Sequence, residues 1–253
     1  MQIFAHRGLL HQYPENSYPA LIKALTAGYA IETDLRLTKD HDLVIIHDDN
    51  AKRLTGQDLI VKNLTLSQCK NLPYTNSSEN LISFRALLKG LKKFGSTQFH
   101  AIHLKSDCQT EIGLQTVVSY WQEFDLYDRA FVFDLTLASA RRLKKLDRKI
   151  KIALIVSEYQ FEPTIHLWQE VKSLSDFDFV WAAEYRYFYS KDLILQMKNQ
   201  KEKVYAMSPD VHKALGHPLA FHGYQKTWVN LFKWGIDGIC TDEPVKLKKY
   251  YPI

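Results

Sequence analysis

Residues 30–48 read AIETDLRLTKDHDLVIIHD and decide the fold of this chain. Two apolar, strand-like runs, residues 30–37 and 43–47, are separated by only five residues, Thr38 to Asp42. A parallel crossover between strands needs a dozen or more residues, so these runs are too close to pair in parallel. We therefore predict an antiparallel hairpin with its turn near residues 39–42.

The rest of the chain alternates short apolar runs with longer helical patterns, which predicts a parallel sheet with crossover helices. There are nine strand candidates, and setting aside the hairpin strand leaves eight, the number that closes an α/β TIM barrel, (β/α)8. The strand candidates are residues 3–5, 30–37, 43–47, 99–104, 130–133, 150–156, 179–183, 203–206 and 236–241. Helical patterns include residues 18–27, 84–93, 114–124, 137–146 and 191–199.

The domain organisation follows from length and composition. The 253 residues fit one large domain, and an apolar share of 46% suffices for a sizeable core. We predict a single TIM-barrel domain over residues 1–253. Residues 48–83 are mostly polar, with a helical pattern only near 65–71, and are predicted to form an insertion after the second strand.

Charge and composition exclude several classes of partner. The net charge of +5 favours anionic ligands, but no run of Lys and Arg is long enough for a nucleic-acid-binding arm. No apolar run approaches the roughly 20 residues that span a bilayer, so stable membrane insertion is not expected. Cys69, Cys108 and Cys240 form no metal or redox motif, which favours a cytoplasmic location. The oligomeric state stays open.

Charged residues gather at the predicted strand ends, where barrel enzymes carry their catalytic groups. A single polar residue there is usually solvated or capping, but convergence of several at one rim indicates a site. Asp242 ends the last strand and is expected either to support the site or to bond backbone near Gly8. The candidate residues are His6, Arg7, Glu32, Asp34, His47, His103 and Lys105.

Glu32 and Asp34 indicate a metal site. Side chains two residues apart on a strand point to one face, so their carboxylates lie side by side. Paired carboxylate oxygens are hard ligands that suit Mg²⁺ or Ca²⁺. The sequence therefore predicts a divalent metal ion at the end of the second strand.

The other candidates suit cleavage of a phosphodiester. His6 and His47 can serve as general acid and general base at neutral pH. Arg7 offers a planar fork for phosphate oxygens, and Lys105 offers a second positive charge for the transition state. Arg7 and Lys105 are thus candidates both for catalysis and for substrate binding.

At these positions the chain resembles the glycerophosphodiester phosphodiesterase family of phosphatidylinositol phospholipase C-like barrels. The matching motifs follow one another in the family's order, from the first residues to the last strand. They are Ala5-His6-Arg7-Gly8, Pro14-Glu15-Asn16-Ser17, Ile31-Glu32-Thr33-Asp34, Thr38-Lys39-Asp40 with Val44 to Asp48, and Asp237-Gly238-Ile239-Cys240-Thr241-Asp242.

The resemblance implies a reaction and its residues. The expected enzyme is a phosphoric diester hydrolase that cuts a small glycerophosphodiester into glycerol 3-phosphate and an alcohol, with roles in lipid metabolism. His6 and His47 would form the acid/base pair, and Glu32 and Asp34 would bind the metal. Asn16 would line the metal or phosphate site as a substrate-binding residue.

The chain departs from the family pattern at His103. The family's Glu-x-Lys motif corresponds here to His103-Leu104-Lys105, so His103 stands where the third metal ligand is expected. Imidazole is a softer ligand than a carboxylate and suits Mn²⁺ or Zn²⁺. We predict that His103 either is a third ligand, for a different metal, or leaves the site with only two strong protein ligands. Mg²⁺ or Ca²⁺ is expected, and Mn²⁺ or Zn²⁺ stays open because of the imidazole.

Two further departures leave alternatives open. Residues 205–210 replace the family's Trp-Thr-x-Asn motif, and Phe133-Asp134 replaces a Ser-Phe pair. They indicate a divergent branch of the family. They also suggest an alternative substrate, a phosphodiester in a glycan or a lysophospholipid. Loss of the third acid motivates a non-catalytic phosphate-binding homologue, against which the retained histidines, Arg7 and Lys105 argue.

Overall fold

Eleven strands form one sheet in the computed structural model, which describes residues 1–95 and 97–251. Ser96, Pro252 and Ile253 of the predicted domain thus lie outside the described residues. The strands are β1 (Gln2–His6), β2 (Ala30–Leu37), β3 (Leu43–Ile45), β4 (Ile82–Ser83), β5 (His100–Leu104), β6 (Ala130–Phe133), β7 (Lys151–Ser157), β8 (Ile165–Leu167), β9 (Phe179–Ala182), β10 (Lys203–Met207) and β11 (Gly238–Thr241).

Eight of these strands close a parallel barrel, which confirms the predicted fold class. Going round the ring, the order is β1, β2, β5, β6, β7, β9, β10 and β11, and β1 pairs with both β2 and β11. β3 and β4 add an antiparallel edge beside β2, and β8 pairs with β7 outside the ring.

Helices follow the barrel strands and cover the outside of the ring. Several begin at a Ser or Thr whose side chain accepts a hydrogen bond from the third helical residue, as Ser17 and Thr136 do. The α-helices are α1 (Tyr18–Thr26), α2 (Lys52–Thr55), α3 (Leu66–Lys70), α4 (Phe84–Phe94), α5 (Glu111–Phe124), α6 (Leu137–Leu146), α7 (Trp168–Val171), α8 (Lys191–Gln200), α9 (Tyr224–Lys233) and α10 (Pro244–Tyr250). Short 3-10 helices cover Val61–Asn63, Ser106–Gln109 and Pro209–Leu215.

The predicted hairpin is formed by β2 and β3. Leu35 pairs with Ile45 and Leu37 with Leu43 in antiparallel sense. The Thr38 hydroxyl closes the turn, since it accepts a hydrogen bond from the amide of Asp42 at 3.0 Å. The chain therefore reverses direction directly after β2. As a result, residue 47 lies at the end of the barrel where the carboxyl-terminal half of β2 lies.

Apolar side chains form three buried groups. Aromatic residues fill the barrel interior, where Phe4, Phe131 and Trp181 meet edge to face or tilted. A larger layer lies between the strands and the helices. The third group lies under the insertion, where β3 contributes Val44 while its other face supplies Leu43 and Ile45 to the main layer.

The turn that leaves β1 depends on Gly8. Its φ is +88°, in the left-handed region, and a Cβ there would lie 2.5 Å from the backbone carbon of Ala20. Only glycine permits this approach of the first loop to α1. The preceding Arg7, at φ 54°, shares the left-handed turn that aims its side chain across the rim.

Of the helices in the described ranges, none has both the length and the apolar character that crossing a bilayer requires. Cys69, Cys108 and Cys240 are buried as free thiols.

Candidate active site

One pocket of about 640 Å³ opens at the carboxyl ends of the barrel strands. Loops following the strands form its rim, as in other TIM barrels. Asp34 and Asn16, two of the predicted site residues, are fully buried beneath its floor. The other predicted site residues all line it: His6, Arg7, Glu32, His47, His103 and Lys105.

Glu32, Asp34 and His103 form the corner that was predicted to hold a metal. β2 and β5 pair so that Asp34 lies beside His103. His103 Nδ1 is 2.9 Å from Asp34 Oδ1 and 3.7 Å from Glu32 Oε1. One ligand atom from each residue lies within 4.8 Å of the other two. This donor set, two carboxylates and one imidazole, is one that divalent cations accept.

Asp34 supplies a specific test of that fit. Its Oδ1 is buried and, among the described residues, has no partner in hydrogen-bonding geometry. His103 Nδ1 and Lys105 Nζ lie at ion-pair distances of 2.9 and 3.1 Å without the angles of a hydrogen bond. A buried carboxylate oxygen that accepts no hydrogen bond can instead coordinate a cation. The residues present therefore fit a divalent metal.

Positive charge surrounds Asp34 on its remaining sides. Arg7 Nε lies 3.2 Å from Oδ2. Burial alone would raise the pKa of the Asp34 carboxyl, but Lys105, Arg7 and His103 outweigh it and hold that pKa well below its usual range. Asp34 is therefore ionised throughout the physiological range of pH.

Asn16 holds the acidic pair from below. Its Nδ2 donates to Asp34 Oδ2 at 2.9 Å, and its Oδ1 accepts from the Thr33 hydroxyl at 2.8 Å. Its backbone is left-handed, with φ 59°. These bonds fix the orientation of Asp34, and they place the Asn16 amide behind the metal corner instead of on the wall of the pocket.

His6 and His47 are each anchored through Nδ1 by a carboxylate. His6 Nδ1 lies 2.7 Å from Asp242 Oδ1, and His47 Nδ1 lies 2.7 Å from Asp48 Oδ1. Of the two roles expected for Asp242, this contact with His6 favours the one in which it supports the site. A carboxylate at Nδ1 favours the tautomer with a proton there, which leaves each Nε2 free to exchange a proton in the pocket.

The pKa of His47 lies below its usual value of 6.5, because burial of the ring outweighs the stabilising hydrogen bond to Asp48. His47 is therefore neutral at pH 7. A neutral imidazole can accept a proton, which is what a general base must do.

Arg53 is a site residue that sequence reasoning missed. It lies in α2, within the insertion, and its guanidinium reaches Glu15 at 2.7 Å and Asp48 at 2.5 Å. Glu15 in turn pairs with Arg7 at 2.9 Å. The insertion thus connects the residues that hold Arg7 and His47. Arg53 lies away from every predicted strand end, so no signal in the sequence marked it.

Asp134 was also missed as a site residue. Its Oδ2 lies 2.5 Å from His103 Nε2. Burial and Lys105 would lower the pKa of His103, but the carboxylates of Asp134 and Asp34 raise it to about 10. Phe133-Asp134 was considered only as a departure from the family pattern. An acidic residue at a strand end was nevertheless a usable signal of a site residue.

The far wall of the pocket is largely apolar. It is formed by the loops after β7, β9 and β10, and two of its side chains are half exposed at the mouth, Phe161 at 52% and Leu215 at 55%. Tyr185 stacks on His212 at 4.5 Å, and His212 Nδ1 bonds the carbonyl of Glu184, so this histidine supports the wall. The apolar lining comprises Ile155, Phe161, Pro163, Ile165, Tyr185, Met207, Val211, Ala214 and Leu215.

Comparison with known proteins places the chain in a family. Residues 6–246 match the model of the Glycerophosphoryl diester phosphodiesterase family. The chain is 28% identical to a glycerophosphodiester phosphodiesterase of Caldanaerobacter subterraneus, over 97% of this chain and 95% of that one. A stretch covering 28% of this chain is 38% identical to a lysophospholipase D of Rattus norvegicus, of which it covers 22%.

A solved structure shows the same fold. An Oleispira antarctica phosphodiesterase in complex with the product sn-glycerol-3-phosphate superposes with a TM-score of 0.77 at 21% identity, over 99% of this chain and 96% of that one. Fold, family match and relatives together define a phosphoric diester hydrolase. More particularly, the chain belongs to the glycerophosphoryl diester phosphodiesterase family, as the motifs predicted.

Proposed function

We propose that this enzyme hydrolyses glycerophosphodiesters to glycerol 3-phosphate and an alcohol in a reaction that depends on a divalent metal, with His6 and His47 as acid and base. One observation carries the proposal. Two histidines, each anchored at Nδ1 by a carboxylate, share a pocket with Glu32 and His103 of the metal corner.

Glu32, Asp34 and His103 would hold the metal. When bound, it would polarise the phosphoryl oxygens and stabilise the charge that develops on them. Two carboxylates favour Mg²⁺ or Ca²⁺, whereas the imidazole of His103 admits Mn²⁺ or Zn²⁺. Asn16 keeps Asp34 in the orientation that this site requires.

His47 would act as the base and His6 as the acid. The attacking hydroxyl gives its proton to His47 Nε2 and its oxygen bonds to phosphorus, while the bond from phosphorus to the leaving oxygen breaks and His6, protonated on both ring nitrogens, gives that oxygen the proton on Nε2. Where the attacking hydroxyl belongs to the substrate, water then opens the cyclic phosphate with the two proton transfers reversed. Arg7 and Lys105 line the same pocket and would bind the phosphate oxygens. The relatives named as glycerophosphodiester phosphodiesterases support this choice of substrate.

The proposed function is tested by turnover of glycerophosphocholine. We expect release of glycerol 3-phosphate that EDTA abolishes and that Mg²⁺, Ca²⁺, Mn²⁺ or Zn²⁺, each supplied separately, restores. Turnover that survives exhaustive chelation would contradict metal dependence. No turnover of any diester with any of the four metals would favour a non-catalytic phosphate-binding protein.

The acid limb of the pH profile is expected below pH 6.5. His47 can act as base only when neutral, so kcat/KM should fall as pH drops through its lowered pKa. Asp48 stabilises the protonated ring, so Asp48→Asn should lower that pKa further and move the limb to lower pH. The profile of kcat/KM between pH 4 and 8 measures this.

Asp58→Asn is the matched control for that profile. Asp58 is an exposed carboxylate of the same insertion and pairs with Lys52 away from the pocket. Its replacement should leave the limb in place. An acid limb above pH 7, or one that moves upward in Asp48→Asn, would show that His47 is not the base.

A second candidate substrate is a lysophospholipid. The apolar wall, with Phe161 and Leu215 half exposed at the mouth, offers a surface for an acyl chain. The lysophospholipase D among the relatives supports the same class. The turnover assay separates the two, because a higher kcat/KM for lysophosphatidylcholine than for glycerophosphocholine would favour this candidate.

We further propose a cytoplasmic location. The three cysteines are buried free thiols, and burial raises the pKa of the Cys69 thiol to about 11. Such thiols are unreactive and suit a reducing compartment.

A further inference from the structure

We propose that Asp134 is a positioning residue of the metal site, which binds Nε2 of His103 and thereby presents Nδ1 of that ring to the metal. The inference rests on the metal-dependent function proposed above. It assigns to Asp134 a role that is separate from those of the three ligands.

The imidazole of His103 bridges two acidic groups. Its Nε2 is 2.5 Å from Asp134 Oδ2, on the side away from the acidic pair. Its Nδ1 is 2.9 Å from Asp34 Oδ1 and 3.7 Å from Glu32 Oε1. Nδ1 therefore faces the corner and Nε2 faces the Asp134 carboxylate, while Lys105 Nζ lies over the ring, 3.3 and 3.2 Å from the two nitrogens.

This arrangement has a direct chemical consequence. An imidazole ligates a metal through a nitrogen that carries no proton, so the remaining proton must lie on the opposite nitrogen. A carboxylate that accepts that proton's hydrogen bond fixes the tautomer, orients the ring and makes the ligating nitrogen more basic. Asp134 stands where such a carboxylate is required.

The surroundings of Asp134 are built to hold it there. Its φ of 67° is left-handed, a conformation that L-residues adopt at a cost and that Asp tolerates better than most. Gln109 stabilises this turn, because its Nε2 donates to the Asp134 carbonyl at 2.7 Å while its Oε1 accepts from Thr136 N at 3.1 Å. The ring of Phe133 lies 4.7 Å from that of His103 and limits its rotation.

The test compares Asp134→Asn in two backgrounds. In the wild type, Asp134→Asn is expected to weaken Mn²⁺ and Zn²⁺ binding by roughly 10–100-fold, measured by calorimetry without substrate. His103→Glu supplies a carboxylate that needs no partner to choose its tautomer. In that background we expect Asp134→Asn to change affinity by no more than about threefold, since no imidazole remains to be oriented.

Asp125→Asn is the matched control. Asp125 is also an aspartate with a left-handed backbone, at φ 49°, but it ends α5 outside the pocket. Its replacement should leave the affinity for both metals unchanged. A similar loss of affinity in Asp125→Asn would show that the effect is structural and would overturn the inference.

Other outcomes are equally decisive. Unchanged affinity in Asp134→Asn, or an equal loss in both backgrounds, would overturn the role of Asp134 and leave the metal-dependent function intact. A wild type that binds neither metal yet cleaves glycerophosphocholine in EDTA would overturn the proposed function as well.

A measurement on the wild type does not depend on the folding of any variant. Nitrogen-15 NMR of the His103 ring, titrated with Zn²⁺, should show a proton retained on Nε2 and metal bound at Nδ1. Zn²⁺ bound at Nε2, or no change in the ring signals on Zn²⁺ binding, would overturn the inference.

Discussion

His6→Ala and His47→Ala are each expected to lower kcat by about 10²–10⁴-fold, the usual contribution of a positioned general acid or base. Both rings line the pocket and are anchored at Nδ1 by Asp242 and Asp48, so each is already oriented for proton transfer. Steady-state release of glycerol 3-phosphate from glycerophosphocholine, at saturating metal, measures the effect.

His11→Ala is the control for these variants. His11 follows the same first strand, but its side chain is half exposed, pairs with Glu243 and lies outside the pocket. Its replacement should leave kcat within about twofold of the wild type, as expected for a surface change. A His6 or His47 variant with near-normal kcat would remove that histidine from the acid/base pair.

Asp34→Asn is expected to abolish metal-dependent turnover and to lower the free energy of unfolding by about 3–5 kcal/mol, the cost of removing one partner of a buried ion pair. Asp34 is fully buried between Arg7, Lys105 and His103. An amide in its place leaves those positive groups without their counter-charge. Urea denaturation of the metal-free protein, together with metal titration, measures both effects.

Glu32→Gln provides the contrast. Glu32 lies in the same corner, but its contacts with basic side chains are longer, since the rings of His6 and His103 lie 3.9 and 3.7 Å away. It should lose metal-dependent turnover as Asp34→Asn does, with little change in the free energy of unfolding. Equal destabilisation by the two variants would contradict the central role assigned to the Asp34 charge.

Much of the fold could be predicted because it depends on local signals. All nine predicted strands form, since runs buried on both faces, such as residues 150–156, differ visibly from the amphipathic helices between them. The hairpin could be predicted because a five-residue connection excludes a parallel crossover. The short strands β4 and β8 were missed, because two or three residues give no readable periodicity.

The candidate site likewise contains residues that could be predicted from the sequence and residues that could not. The residues at strand ends, such as Glu32 and His47, could be placed because the fold itself brings strand ends to one rim. Arg53 could not, since its role rests on contacts with Glu15 and Asp48 from an insertion whose course the sequence does not specify. Asp134 directly follows a predicted strand, so its position at the rim could have been predicted, although its contact with His103 could not. Asn16 was expected to line the metal or phosphate site, and its contacts with Asp34 and Thr33 place its amide behind the metal corner.

The position of His47 depends on a turn more than on burial. Both faces of β3 are buried and apolar, since Leu43 and Ile45 face the main core and Val44 faces the core of the insertion. If β3 shifted by one residue relative to β2, its two faces would exchange places. Because both faces are apolar, the hydrophobic effect would not disfavour that shift in register. The turn closed by Thr38 therefore sets the register of β3 against β2. A slip would carry the ring of His47, the proposed base, about 3.4 Å along the strand, the spacing of neighbouring residues, so the turn closed by Thr38 helps to keep this ring beside the metal corner.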